Sequence, residues 1–262
     1  MYSGVSSTSS SHSSRRIAAT TMSVPRPGVD AGKNLIALDD VATWEKVERH
    51  TEHVLDAIPQ LPERASYLDR LRHQDVFSKR DLDQVVEWKH TIGKNRIHNL
   101  KYLSTNDDAT VKKHSQRAIA MAREIELSEC LEDDHSLSSS GRQKIQQAMT
   151  ELTNLKGVGP ATASAMLTLI RPDVFCFMYD EVIDVFEPRR DYKISHYMRV
   201  NSRCLQLAQK LGWTSSRVAL TIWTAARFLA IHGKDLTRDE QDKQDRKRPA
   251  VEKKGGKKKR AK

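Results

Sequence analysis

The stretch Leu155-Lys156-Gly157-Val158-Gly159-Pro160-Ala161-Thr162-Ala163 constrains the fold of this chain more than any other. Leu152 and Leu155 precede it on one helical face, and Ala163, Met166, Leu167 and Ile170 continue an apolar face after it. Two glycines around one apolar residue allow a sharp turn in which a Cβ would clash. Pro160 suits the first turn of the next helix, where its missing N–H costs nothing. The spacing predicts a helical hairpin over 142–170. The peptide N–H groups of Gly159 and Ala161 would then point outward from a positive helix N-terminus, a ready phosphate site. The bland alternative is an ordinary helix–turn–helix corner in which Gly157-Val158-Gly159 only closes the loop.

The rest of the body is helical in pattern. Asp39-Asp40 is expected to cap a helix with Val41, Trp44, Val47, Val54, Leu55 and Ile58, interrupted by Pro59 and Pro62. A short helix with Tyr67, Leu68 and Leu71 follows. Ser78-Lys79-Arg80-Asp81 resembles a capping box with Asp in place of Glu, opening a helix that carries Leu82, Val85, Val86 and Trp88 and stops at Gly93. Further helices are expected around Leu100 and Leu103, from Ala109 to Ile125, from the Ser138-Ser139-Ser140 cap to Leu155, and from Asp180 to Phe186. Two more span 195–211 and 217–231, the last capped by Thr214-Ser215-Ser216. No alternating strand pattern survives comparison with a helix, so the fold class is all-α, with about eight to ten helices.

The two ends differ from this body. Residues 1–33 are crowded with Ser and carry no acid before Asp30, and residues 236–262 are nearly all charged or polar. Neither end has the apolar surface that would offset ordering entropy, so both are expected to be disordered, leaving a folded domain over 34–235. From Lys243 onward there are eleven Lys or Arg against Asp245 and Glu252, so this tail holds +9 of the chain's +10. Residues 1–33 hold a further +3, which leaves the body slightly acidic. Any nucleic-acid face on the body must therefore be local. Cys130, Cys176 and Cys204 are scattered and have no metal-ligand spacing, and a reducing compartment is the natural reading. No run of about 18 apolar residues exists, so no membrane span is expected.

Downstream of the hairpin comes Pro172-Asp173-Val174-Phe175-Cys176-Phe177-Met178-Tyr179-Asp180, which puts Asp180 19 positions after Ala161. Together these features resemble the helix-hairpin-helix/Gly-Pro-Asp superfamily of DNA glycosylases over roughly residues 140–187. A narrower likeness is to the Amun-type, glycosylase-like nuclear proteins, carried by Trp88-Lys89, Gly93-Lys94-Asn95-Arg96 and Gly157-Val158-Gly159-Pro160-Ala161-Thr162-Ala163-Ser164.

The resemblance implies a two-lobed helical fold with the active site between the lobes, and a hairpin that grips duplex DNA through Gly157, Gly159 and Ala161 without reading its sequence. It implies that the carbonyls of Thr153, Leu155 and Val158 hold a monovalent cation, K+ or Na+, that bridges to a phosphate. Asp180 would be the catalytic carboxylate, stabilising an oxocarbenium-like sugar and orienting water. The alternative for Asp180 is a plain helix N-cap, and the two roles are compatible. Bifunctional members carry lysine at the position of Ala161. Alanine has no amine for a Schiff base, so excision without strand cutting follows. Some members hold an iron–sulfur cluster on four cysteines, which three scattered ones cannot supply.

A flipped base needs an aromatic or apolar wall. Tyr179 and Trp88 are the pocket candidates, with Phe177 and Trp223 behind them; core packing is the competing role for Trp88 and Trp223. Lys89-His90, Lys94, Arg96, His98 and Lys101 form a basic string that could touch phosphates or simply be solvated. Arg246-Lys247-Arg248-Pro249 and Lys257-Lys258-Lys259-Arg260 read as a bipartite signal for nuclear import receptors. The Ser-rich, acid-poor N-terminus admits a mitochondrial presequence, with Met22 as an internal start for a nuclear form. A monomeric, nuclear DNA glycosylase is the leading expectation. A DNA-binding protein that kept the fold without catalysis, with a chromatin or regulatory role, stands beside it, and a scaffold whose hairpin only packs helices is a third.

Overall fold

The computed structural model describes residues 27–38, 40–59, 61–93, 100–132 and 136–238. Residues 1–26, Asp39, Lys94, Asn95, Arg96, His98 and the tail from residue 239, with both basic clusters, lie outside the described residues. The chain runs through α1 (Pro27–Ala37), α2 (Val41–Glu48), α3 (Thr51–Asp56), α4 (Leu61–Leu71), α5 (Lys79–Ile92) and α6 (Leu100–Leu103). It continues with α7 (Asp108–Arg123), α8 (Leu127–Cys130), α9 (Ser139–Thr153), α10 (Pro160–Ile170), α11 (Asp180–Phe186), α12 (Ile194–Leu211) and α13 (Ser215–His232). The all-α class holds: among the described residues the β-type pairing is one isolated bridge between Leu131 and Leu137.

The capping residues act as their chemistry dictates. Asp40 accepts from the N–H groups of Ala42 and Thr43, and Ser78 with Asp81 forms the reciprocal box. Asp107, Ser138 and Thr214 each accept from the N–H three residues on. The helix expected over 41–58 is broken in two at His50. Its imidazole Nδ1 takes the Lys46 carbonyl at 2.9 Å, the group its own peptide N–H would use in a continuous helix, and that N–H turns to Val47 instead.

Both domain boundaries are wider than the composition suggests. Residues 27–33 belong to α1, whose Ala31 and Leu35 are fully buried against α11 and α13. Gly32 lets those helices meet, because a Cβ there would stand 2.4 Å from Cγ2 of Val185. A glycine that reads as linker composition is in fact a packing contact. At the other end, Asp235 accepts from Asn34 at 3.0 Å and Leu236 is buried, so the fold passes residue 235.

The helices sort into two packing groups around one core. α13 gathers α1, α2, α3, α11 and α12, while α10 gathers α4, α5, α7 and α9. Contacts of α12 with α9 and α10, and of α3 with α4, join the groups. Trp44, Phe77, Phe175, Tyr197 and Trp223 are the large side chains at the centre.

Gly32→Val is expected to destabilise the full-length protein by about 1–3 kcal/mol through overpacking against Val185. Urea unfolding followed by circular dichroism measures it. An unchanged midpoint would mean that α1 is not docked as described.

Candidate functional site

The hairpin forms where expected, with α9 and α10 joined by a turn over 154–159. Gly157 has φ +76°, a conformation that requires glycine. Gly159 differs from expectation: its φ of −96° is ordinary, and a Cβ built on it meets nothing within 4 Å. Its glycine is not needed for closing the turn. Pro160 sits at the start of α10, and Gly159 is that helix's N-cap without a side-chain cap. The Gly159 carbonyl accepts from Thr162 and Ala163, each at 2.9 Å, whereas the N–H groups of Gly159 and Ala161 make no hydrogen bond among the described residues. The Leu155 carbonyl, one of the three expected cation ligands, already accepts from Val158 at 3.1 Å and keeps one lone pair.

The turn is clamped from outside. Asn106, just before α7, donates to the Lys156 carbonyl at 2.8 Å and accepts from the Lys156 N–H at 2.9 Å. A 50-residue separation hides this pairing from any local pattern.

After α10 the chain makes a turn over residues 172–174 and then runs buried to Tyr179, its backbone held by side chains. Asn201 accepts from the Cys176 N–H at 2.9 Å and donates to the Val174 carbonyl at 3.0 Å. Tyr197 donates to the Cys176 carbonyl at 3.3 Å. Ser164, on α10, accepts from the Met178 N–H and donates to the Ala161 carbonyl, both at 3.1 Å. Ser164 thereby ties the mouth of the hairpin to the residue two before Asp180.

Asp180 is not the N-cap of α11. Tyr179 occupies the cap position without a side-chain bond, and Asp180 is the first helical residue. Its two carboxylate oxygens point elsewhere: Oδ1 accepts from the Tyr192 hydroxyl at 2.7 Å and Oδ2 from Arg190 Nη1 at 2.7 Å. The cap-only alternative therefore fails on geometry. Arg190 also forks onto Asp184, and these bonds raise its already high pKa further. Tyr192 has φ +52°, among the described residues the one non-glycine in that region. His196 holds it there by accepting at Nδ1 from the N–H of Asp191 at 2.9 Å and of Tyr192 at 3.2 Å.

One cleft collects these groups. Ala161 from the hairpin, Asp180, Glu181, Phe177, Tyr179 and Tyr192 line it together with Lys89, Ile92 and Gly93. The space open to the centre of a water-sized sphere is about 30 Å³, room for one or two waters and smaller than a base. Trp88, Phe177, Tyr179 and Trp223 stand in a row, with ring centroids 5.2, 4.4 and 5.5 Å apart in succession. Tyr179 and Phe177 reach the cleft, Trp223 is core, and Trp88 packs behind Phe177 rather than lining the space. Burial raises the pKa of the Tyr179 phenol, keeping it neutral. Arg190, Tyr192, His196 and Glu181 were not among the expected site residues. Their sequence signal is weak, because a charged Arg189-Arg190-Asp191 loop reads as solvated surface. Among the described residues no helix is long and apolar enough to cross a membrane. No family model, no curated protein and no solved structure matches the chain.

Proposed function

We propose that this chain binds duplex DNA by its hairpin and hydrolyses the N-glycosidic bond of a damaged or modified base, without cutting the strand. The observation that carries the reading is the shared cleft: Ala161, at the hairpin's unengaged amides, and Asp180 face the same space. A phosphate would accept from the N–H groups of Gly159 and Ala161 at the start of α10, with Gly159 allowing close approach where folding alone does not demand it. A monovalent cation on the carbonyls of Thr153, Leu155 and Val158 would share that phosphate. The two packing groups of helices would be the two lobes of the glycosylase superfamily. Asp180 would stabilise the positive sugar and accept a proton from water, and Ala161 leaves no amine for a covalent imine. The protein would act as a monomer in the nucleus, delivered by import receptors that bind the tail clusters.

A second reading has its own support. Both Asp180 oxygens are engaged and the cleft is smaller than a base, which favours a protein that holds duplex without excising.

Gly159→Asp separates binding from folding. Aspartate is a good N-cap, so stability should hold or rise by up to about 1 kcal/mol, while duplex affinity falls at least about tenfold because a carboxylate meets the phosphate. Fluorescence anisotropy and thermal melts read the two effects, and unaltered affinity would make the hairpin purely structural.

Asp180→Asn keeps a side chain that can still meet Tyr192 but removes the charge. Excision from duplexes with alkylated, deaminated or oxidised bases should drop by about a hundredfold or more, with binding retained. Wild-type product should be abasic DNA that breaks only in alkali and gives no borohydride-trapped adduct. No excision on the whole panel would leave the binding-only reading.

Deleting residues 243–262 removes +9 of charge and should abolish nuclear accumulation and flatten the salt dependence of DNA binding. A nuclear deletion variant would refute the import role.

A further inference from the structure

Asp180 has a neighbour that the hydrolysis reading leaves unused. Glu181 lines the same cleft, and its side chain is only 6% exposed. The facing cation is Arg227 on α13, whose Nε lies 3.6 Å from the carboxylate, outside hydrogen-bond reach. That Nε is buried and has no partner, while the same guanidinium donates through Nη2 to the Ile92 carbonyl at 3.1 Å. Arg227 is thus drawn toward Ile92 rather than folded around the acid. The other charged groups around Glu181 are Asp180, which opposes its ionisation, Arg190, which is engaged by Asp180 and Asp184, and Lys89, which lines the same cleft from α5. Burial is the largest influence and raises the Glu181 pKa, although Arg227 and the residue's own peptide N–H favour the ionised form.

Two adjacent carboxyl groups in one cleft therefore have different surroundings. Asp180 is hydrogen-bonded by a guanidinium and a phenol, and Glu181 is buried without a side-chain hydrogen bond among the described residues. Such a division suits a general acid beside a carboxylate that stabilises a positive sugar. Resting on the hydrolysis reading above, the geometry points to Glu181 as a second catalytic residue, the acid that protonates the departing base, and to substrates whose base is uncharged before it leaves.

The step balances. The C1′–N bond breaks, and its electron pair stays with the base. The base takes the carboxyl proton of Glu181 at a ring nitrogen or exocyclic oxygen. Water oxygen bonds to C1′ and gives its proton to Asp180. Solvent then removes that proton and returns one to Glu181, and nothing is oxidised or reduced. An N-alkylated purine already carries positive charge and departs without this help. A deaminated or oxidised base does not.

The test uses the full-length protein under single-turnover conditions on duplexes bearing hypoxanthine, uracil or 8-oxoguanine, and on duplexes bearing 7-methylguanine. Glu181→Gln should lower excision of the uncharged bases by about a hundredfold, and should lower the ratio of uncharged to cationic excision by about tenfold or more. In the wild type, excision of an uncharged base should decline as pH rises through the raised Glu181 pKa. That limb should vanish in the Gln variant. Should the variant fail to fold in thermal melts, carbon-13 NMR of glutamate-labelled wild type still decides: one side-chain carboxyl should titrate at higher pH than the exposed glutamates. A glutamate set that titrates together in the ordinary carboxylate range, or equal loss on both substrate classes in the Gln variant, would overturn the acid role. Excision that tolerates Glu181→Gln but not Asp180→Asn sinks Glu181 alone. Absence of any excision by the wild type sinks the hydrolysis reading and the acid role together.

Discussion

The segment between α10 and α11 is a turn followed by buried irregular backbone, with no strand beside it among the described residues, and the placement of Asp180 depends on how its polar groups are satisfied. Val174, Phe175 and Cys176 are fully buried, so an unpaired N–H or C=O there would cost about 1–3 kcal/mol. Side chains do the work a sheet would do. Asn201 takes one donor and one acceptor, Tyr197 and Thr168 each donate to a carbonyl, and Ser164 receives the Met178 N–H. Asn201 and Tyr197 come from α12 and Ser164 and Thr168 from α10. The position of the carboxylate is thus referred to two helices that are themselves core, instead of to a surface loop.

The same logic makes the hairpin mouth stiff. α10 is lined almost wholly by buried residues, and its Ala161, Ala163, Ser164 and Ala165 are small enough for α5, α9 and α12 to approach. Asn106 fixes the Lys156 peptide from the other side, and Gly157 supplies the left-handed turn. In the proposed DNA-binding role, amides held this way would need no reordering before meeting a phosphate, which is how a small contact gains affinity without added area. Arg171 closes the far end of α10, donating to the Ala122 and Ile125 carbonyls at 2.9 and 2.8 Å while it pairs with Asp173. A helix pinned at both ends and buried between can transmit position from the turn to the cleft.

What was legible in the sequence is what is local. The caps at Asp40, Ser78 and Thr214, the hairpin, and a helix beginning at Asp180 all follow from residues within a turn of one another. What was hidden joins distant residues or reads as its opposite. Asn106 to Lys156 and Asn201 to Val174 leave no periodic trace. Gly32 resembles linker composition until Val185 is placed against it. Position 180 was legible as a carboxylate, but its partners Arg190 and Tyr192 were not, because a charged loop gives no sign of which charge turns inward.

The asymmetry of the cleft decides how it would admit a base. One wall is α10 with the Phe177–Tyr179 segment, all tied to the core, and moving it would break buried hydrogen bonds. The opposite side is Tyr192, held in a left-handed conformation that costs about 1–3 kcal/mol for a side-chain-bearing residue. Its supports include the hydrogen bonds of the Asp191 and Tyr192 N–H groups to His196 and that of its hydroxyl to Asp180. Relaxing Tyr192 would release stored strain, widen the space beside Asp180 and uncover Oδ1 in a single movement, while Arg190 keeps Oδ2 and stays anchored by Asp184. The carboxylate would then have one oxygen held and one exposed to a sugar or to water, the arrangement a hydrolytic role requires. In the hydrolysis reading, widening of the cleft would fall to the Tyr192 side chain, with the hairpin, the aromatic row and the Arg190 anchor as the fixed frame.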